Sequence, residues 1–99
     1  MELSGKVVCI TGGARGIGAA LCKRFLAEGA RAVYAADLEN AQADARALAA
    51  ALGPRLIPVV CDVSREAQLQ ALVQRATSEQ GRVDLFCSNA GIAVGGGVE

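Results

Sequence analysis

Four short apolar runs, separated by longer stretches with helical spacing, constrain this chain more than any other feature. Residues 6–10, 32–36, 56–61 and 83–88 have strand length and are apolar almost throughout, with Asp84 the charge inside a run. Between the first two, residues 16–28 carry Ile17, Leu21 and Phe25 four apart on one helical face. Residues 41–52 are alanine-rich and favour helix. The third stretch places Leu69, Leu72, Val73 and Ala76 at i, i+3, i+4 and i+7. Gly29, Gly53-Pro54 and Gly81 read as helix ends, and Asn40 and Ser64 as N-caps of the second and third helices. Pro58 lacks an N–H and suits an edge strand. Such an alternation predicts right-handed βαβ units and a parallel sheet covered by helices on both faces. The glycine-rich tail, 91–99, reads as a loop.

Bulk properties narrow the function. The 99 residues suffice for one small domain, and 53% hydrophobic content excludes a disordered tail. Ten basic residues balance ten acidic ones with no basic run, so the electrostatic footprint of a nucleic-acid binder is missing. No apolar stretch approaches the ~20 residues of a membrane span, and the start lacks the pattern of a secretory signal. A cytoplasmic location is expected. The four cysteines form no Cys-x-x-Cys pair and the chain has no histidine, so no metal site is expected. The cysteines read as small buried hydrophobes in a reducing compartment.

The chemistry starts at Thr11-Gly12-Gly13-Ala14-Arg15-Gly16-Ile17-Gly18, directly after the first strand and opening the first helix. Backbone N–H groups at a helix start, with the positive end of the helix dipole, favour an anion. Glycines let a phosphate approach because no Cβ intervenes. The spacing Gly12-x-x-x-Gly16-x-Gly18 differs from the common Gly-x-Gly-x-x-Gly fingerprint, so the turn alone is a weak signal. Asp37 strengthens it. It stands at the end of the second strand, about 20 residues past the turn, where a carboxylate accepts hydrogen bonds from the adenosine ribose. There it would repel the 2′-phosphate of NADP, favouring NAD. The bland alternative is that Asp37 only starts a loop. Arg15 could reach such a phosphate, but beside Asp37 it reads better as a solvated loop charge.

Three motifs together resemble the short-chain dehydrogenases/reductases. Thr11 to Gly18 resembles the family's Thr-Gly-x-x-x-Gly-x-Gly turn, Cys61-Asp62-Val63 its Asp-Val after the third strand, and Asn89-Ala90-Gly91 its Asn-Ala-Gly after the fourth. The resemblance runs from Leu3 to about Ile92. It implies a Rossmann-type α/β fold with strand order 3-2-1-4 in the part present. It also implies roles. Gly12, Arg15, Gly16, Ile17 and Gly18 would form the turn, with Ile17 and Gly18 near the diphosphate and the nicotinamide half. Asp37 and Leu38 would border the adenosine ribose, and Asp62 and Val63 the adenine. Asn89 and Ala90 would lie along the ribose and steady the central strands, and Gly91 would complete this cofactor-binding motif. Taken singly, Asp62 could be a strand-end cap and Asn89 a turn former.

The family's catalytic serine, Tyr-x-x-x-Lys pair and further asparagine all follow the Asn-Ala-Gly motif, and none can be assigned here. The only tyrosine is Tyr34, followed four residues later by Leu38, and the lysines are Lys6 and Lys23. The resemblance thus implies that residues 1–99 are the N-terminal part of one dinucleotide-binding domain. The parent would be an NAD-dependent oxidoreductase of an alcohol or carbonyl substrate, homo-oligomeric at full length. The 99-residue chain itself would lack the catalytic half and be inactive. The competing readings are a non-catalytic dinucleotide-binding module and a phosphate-binding α/β domain for another nucleotide. Absence of Gly-x-x-x-x-Gly-Lys-Ser/Thr counts against an NTPase. The fourth strand becomes an edge here, so the isolated chain is expected to associate.

Overall fold

The computed structural model describes residues 2–89. The chain runs β1 (Val7–Thr11), α1 (Gly16–Ala27), β2 (Ala32–Asp37), a 3-10 turn (Glu39–Ala41), α2 (Gln42–Leu52), β3 (Leu56–Val60), α3 (Glu66–Gln80) and β4 (Leu85–Ser88). All pairings are parallel and the strand order is β3-β2-β1-β4. This is the expected architecture and order.

Alternation along the central strands assigns each face its helices. Val7 and Cys9 of β1, with Ala32, Tyr34 and Ala36 of β2, pack against Leu72 and Ala76 of α3. Val8 and Ile10, with Val33 and Ala35, pack against Cys22 and Leu26 of α1, and Leu48 of α2 joins them. Period-2 side chains on one strand can serve two helical layers only if both faces are covered. β3, with Pro58, lies at one edge of the sheet and β4 at the other.

Several local expectations change. The inward residues of α1 are Gly18, Cys22 and Leu26, not Ile17, Leu21 and Phe25. Leu21 and Phe25 flank the core half-buried, while Ile17 is 66% exposed. The helix must bring Gly18 against the strand end, and one residue of helical rotation then turns Ile17 outward. Asn40 does not cap α2. It lies inside the 3-10 turn, and neither that turn nor α2 has a side-chain cap. Instead the buried Gln42 amide donates to three carbonyls, those of Asp37, Leu38 and Val59, at 3.1–3.3 Å. Nor does Ser64 cap α3, whose N-cap is Arg65. The expected left-handed helix ends do form at Gly29 (φ 95°) and Gly81 (φ 88°).

β4 starts at Leu85, later than the apolar run suggested, because Asp84 is used differently. Its N–H donates to the Val7 carbonyl, and its Oδ2 accepts from the Val7 N–H, both at 2.8 Å. The carboxylate thus stands in for a strand carbonyl where the ladder begins, and Arg82 Nε braces it at 3.0 Å.

Candidate functional site

The four carboxyl strand ends meet along one edge of the sheet, and the turn after β1 is the most constrained of them. Gly12 and Gly16 have φ of 69° and 55°, a region that disfavours side chains. Gly18 needs its missing Cβ for space. A Cβ there would run into the Gly12 carbonyl oxygen and lie 2.9 Å from Asn89 Nδ2. The turn is held to β2 by the Gly12 and Gly13 N–H groups, both donating to the Ala36 carbonyl. Among the described residues no side chain caps the start of α1, and its first turn holds no acidic residue.

Asp37 closes the turn from the neighbouring strand. Its Oδ2 accepts from the Ala14 N–H at 3.1 Å and its Oδ1 from the Leu38 N–H at 2.8 Å. Asn89 does the same from the other side. Its N–H donates to Thr11 Oγ1 at 3.0 Å and its Nδ2 to the Gly12 carbonyl at 3.3 Å. At the end of β3, Asp62 Oδ1 accepts from both the N–H and the Oγ of Ser64, at 3.0 and 2.7 Å. Those hydrogen bonds hold its carboxyl below the usual carboxylate range.

One cleft of about 340 Å³ gathers Gly12, Asp37, Leu38, Cys61, Asp62, Val63 and Asn89. The structure therefore brings at least one singled-out residue from each of the four strand ends to one cleft, which Arg15, Gly16, Ile17 and Gly18 do not line. Arg15 and Gly16 line a separate groove between α1 and α2. Arg15 is exposed yet not merely solvated: its Nε pairs with Asp44 Oδ2 at 2.9 Å, and its Nη2 donates to the Asn40 carbonyl at 3.3 Å. Ala90 and Gly91 lie outside the described residues. Tyr34 is far from a catalytic setting; buried under α3, its hydroxyl donates to Glu79 Oε1 at 2.6 Å.

Sequence reasoning missed Gln42, Ser64 and Gln68 as supports of the cleft. Gln42 ties the Asp37–Leu38 backbone to β3, and Gln68 Oε1 accepts the Asp62 N–H at 2.7 Å. A polar residue opening an otherwise alanine-rich helix was the available signal for Gln42; nothing local marked Gln68. Among the described residues, no His, Cys, Asp or Glu cluster could hold a metal ion, and no helix is long and apolar enough to cross a membrane.

A Rossmann-type parallel α/β sheet with a cleft at its carboxyl edge is the class of protein that this fold defines. A family model described as short chain dehydrogenase matches residues 6–99. The chain belongs to the short-chain dehydrogenase family. It is similar to sex determination protein tasselseed-2 of Zea mays, with 48% identity over 92% of this chain and 26% of the relative. It is also similar to (+)-borneol dehydrogenase 1 of Salvia officinalis, with 42% identity over 95% of this chain and 35% of that protein. Among solved structures, the 3-ketoacyl-(acyl-carrier-protein) reductase of Brucella melitensis complexed with NADH matches with a TM-score of 0.76 and 38% identity. That match covers 85% of this chain and 33% of the reductase chain. The chain thus spans about a third or less of the length of these relatives.

Proposed function

We propose that the protein carrying this chain is an NAD-dependent oxidoreductase acting on an alcohol or carbonyl compound, and that residues 11–89 supply the adenosine and diphosphate grip of its cofactor site. The observation that carries this reading is the convergence of Gly12, Asp37, Asp62 and Asn89 on one cleft at the carboxyl ends of the strands. Ligands of open α/β sheets bind at that edge. The similarity to a reductase complexed with NADH supports the choice of dinucleotide.

The residues present fit such a group. The start of α1, with no side-chain cap among the described residues and no acidic residue in its first turn, suits the diphosphate. The close approach of Gly18 to Gly12 keeps the turn tight beneath it. Asp37 has about four lone-pair positions, two of which the Ala14 and Leu38 N–H groups occupy. The others can accept ribose hydroxyls. Leu38 and Val63 would flank the adenosine, with Asp62 accepting from the adenine amine. Asn89, holding Gly12, would fix the turn against β4, and Ala90 and Gly91 would continue past the ribose. Bound here, the dinucleotide supplies hydride transfer; this chain's residues bind and orient it.

NAD is favoured over NADP because Asp37 would meet the added phosphate with like charge. Arg15, which could offset that repulsion, is engaged by Asp44 and Asn40. The test is kcat/KM with both cofactors on the full-length protein, before and after Asp37→Ala. The unaltered protein should prefer NAD. The variant should lose about 10- to 100-fold with NAD, as expected for hydrogen bonds to a charged group, and lose nothing with NADP. Equal use of both cofactors by the unaltered protein would refute the assignment.

A further inference from the structure

The β3 corner of the cleft is built unlike the rest. Asp37 spreads its two oxygens over two separate N–H groups. Asp62 instead directs both of its hydrogen bonds from Ser64 onto a single oxygen, Oδ1. Among the described residues, Oδ2 has no such partner. A second contact fixes the backbone beneath: the Asp62 N–H donates to Gln68 Oε1 at 2.7 Å, in the first turn of α3. The carboxylate is thus held through Oδ1 by Ser64 and the backbone by Gln68, and neither partner lines the cleft. Ser64 is exposed, makes no cap for α3, and has no other side-chain hydrogen bond among the described residues.

We propose that Ser64 is a positioning residue for base selection: by engaging Oδ1, it presents Oδ2 of Asp62 to the cleft as a pure acceptor. The selection follows from elementary hydrogen bonding. An ionised carboxylate only accepts. It therefore welcomes a purine bearing an exocyclic amino group and repels one bearing a carbonyl oxygen at the same place. Ser64 serves this task by restricting the torsion that sets where Oδ2 points. This inference rests on the reading of Asp62 as the adenine contact.

The test compares NADH with reduced nicotinamide hypoxanthine dinucleotide, its 6-oxo counterpart, by fluorescence titration of the full-length protein. The unaltered protein should bind NADH about 10-fold or more tightly than the 6-oxo form, the worth of one charge-assisted hydrogen bond. Asp62→Ala should erase that preference. Ser64→Ala should cut it several-fold, chiefly through loss of NADH affinity, and Ser64→Thr, which keeps the hydroxyl, should restore it. If Ser64 served only loop stability, Ser64→Ala would weaken both ligands equally and leave the ratio intact, overturning the proposal. A ratio that collapses in Asp62→Ala but holds in Ser64→Ala would overturn the role of Ser64 alone. An unaltered protein without preference, or one whose preference survives Asp62→Ala, would overturn the reading of Asp62 beneath it.

Discussion

Gly18 and Asp84 show how much single positions carry. Gly18 lies where α1, the β1 turn and Asn89 converge, and a Cβ there would collide with a backbone carbonyl that cannot swing aside. Gly18→Ala should therefore push α1 away from Gly12, at a cost of about 1–3 kcal/mol typical of overpacking. Dinucleotide affinity, measured by NADH fluorescence on the full-length protein, should fall by about 10-fold or more. An alanine variant with unchanged stability and affinity would show the approach to be dispensable. Asp84 carries a pH dependence. The Val7 N–H, followed by Arg82, holds its carboxyl below the ordinary 3.8. Because the folded value lies below the unfolded one, its stabilisation is complete above pH 3.8 and is lost as pH falls through the folded value. Urea midpoints should thus drop below about pH 4, and less steeply in Asp84→Asn. Asp62 and Glu79, also held low, should leave a residual slope.

At the scale of elements, the start of α2 shows a cap replaced by a tie. A local Asx cap would have joined Asn40 to its own helix. Gln42 instead reaches back to the end of β2 and across to β3, so one amide fastens three elements near the cleft. Gln42→Ala would leave those carbonyls short of a donor in a buried setting. It should cost about 1–3 kcal/mol, read as a lower urea midpoint, and should loosen the Asp37–Leu38 segment. A variant as stable as the parent would indicate that water replaces the amide freely. Strand β1 and helix α1 make a second prediction. Burial pushes the Cys22 thiol up to about 12 and Cys9 up to about 11. Neither should react with iodoacetamide at pH 8 until the protein is unfolded, since the thiolate is the nucleophile. Rapid labelling of either in the native state, detected by mass spectrometry, would contradict their burial.

For the molecule as a whole, the sheet ends are unequal. β3 is blunted by Pro58, while among the described residues β4 presents an open ladder edge, the 38%-exposed Phe86 and an adjoining hollow lined by Leu69 and Val73. Unpaired strand edges beside apolar surface promote association. The 99-residue chain expressed alone should therefore self-associate in light scattering after size exclusion. A monomer that melts cooperatively would show that residues 1–99 stand independently.

Period-2 and period-3.6 patterns, with glycine and proline as stops, were enough to read the strands and helices, because those signals are local and each residue carries its own. The spacing of Gly12, Gly16 and Gly18 and the place of Asp37 were likewise legible, since a strand-to-helix turn imposes them along the chain. The strand order entered only through the family resemblance. Other features depended on partners distant in sequence. Which face of α1 turns inward followed from the approach of Gly18 to Gly12 and Asn89. Gln42 displaced Asn40, Ser64 served Asp62 rather than α3, and Arg15 found Asp44. Side chains that can hydrogen-bond in several ways are committed by whichever donor or acceptor packing brings near. That choice is made between elements, where no local pattern records it.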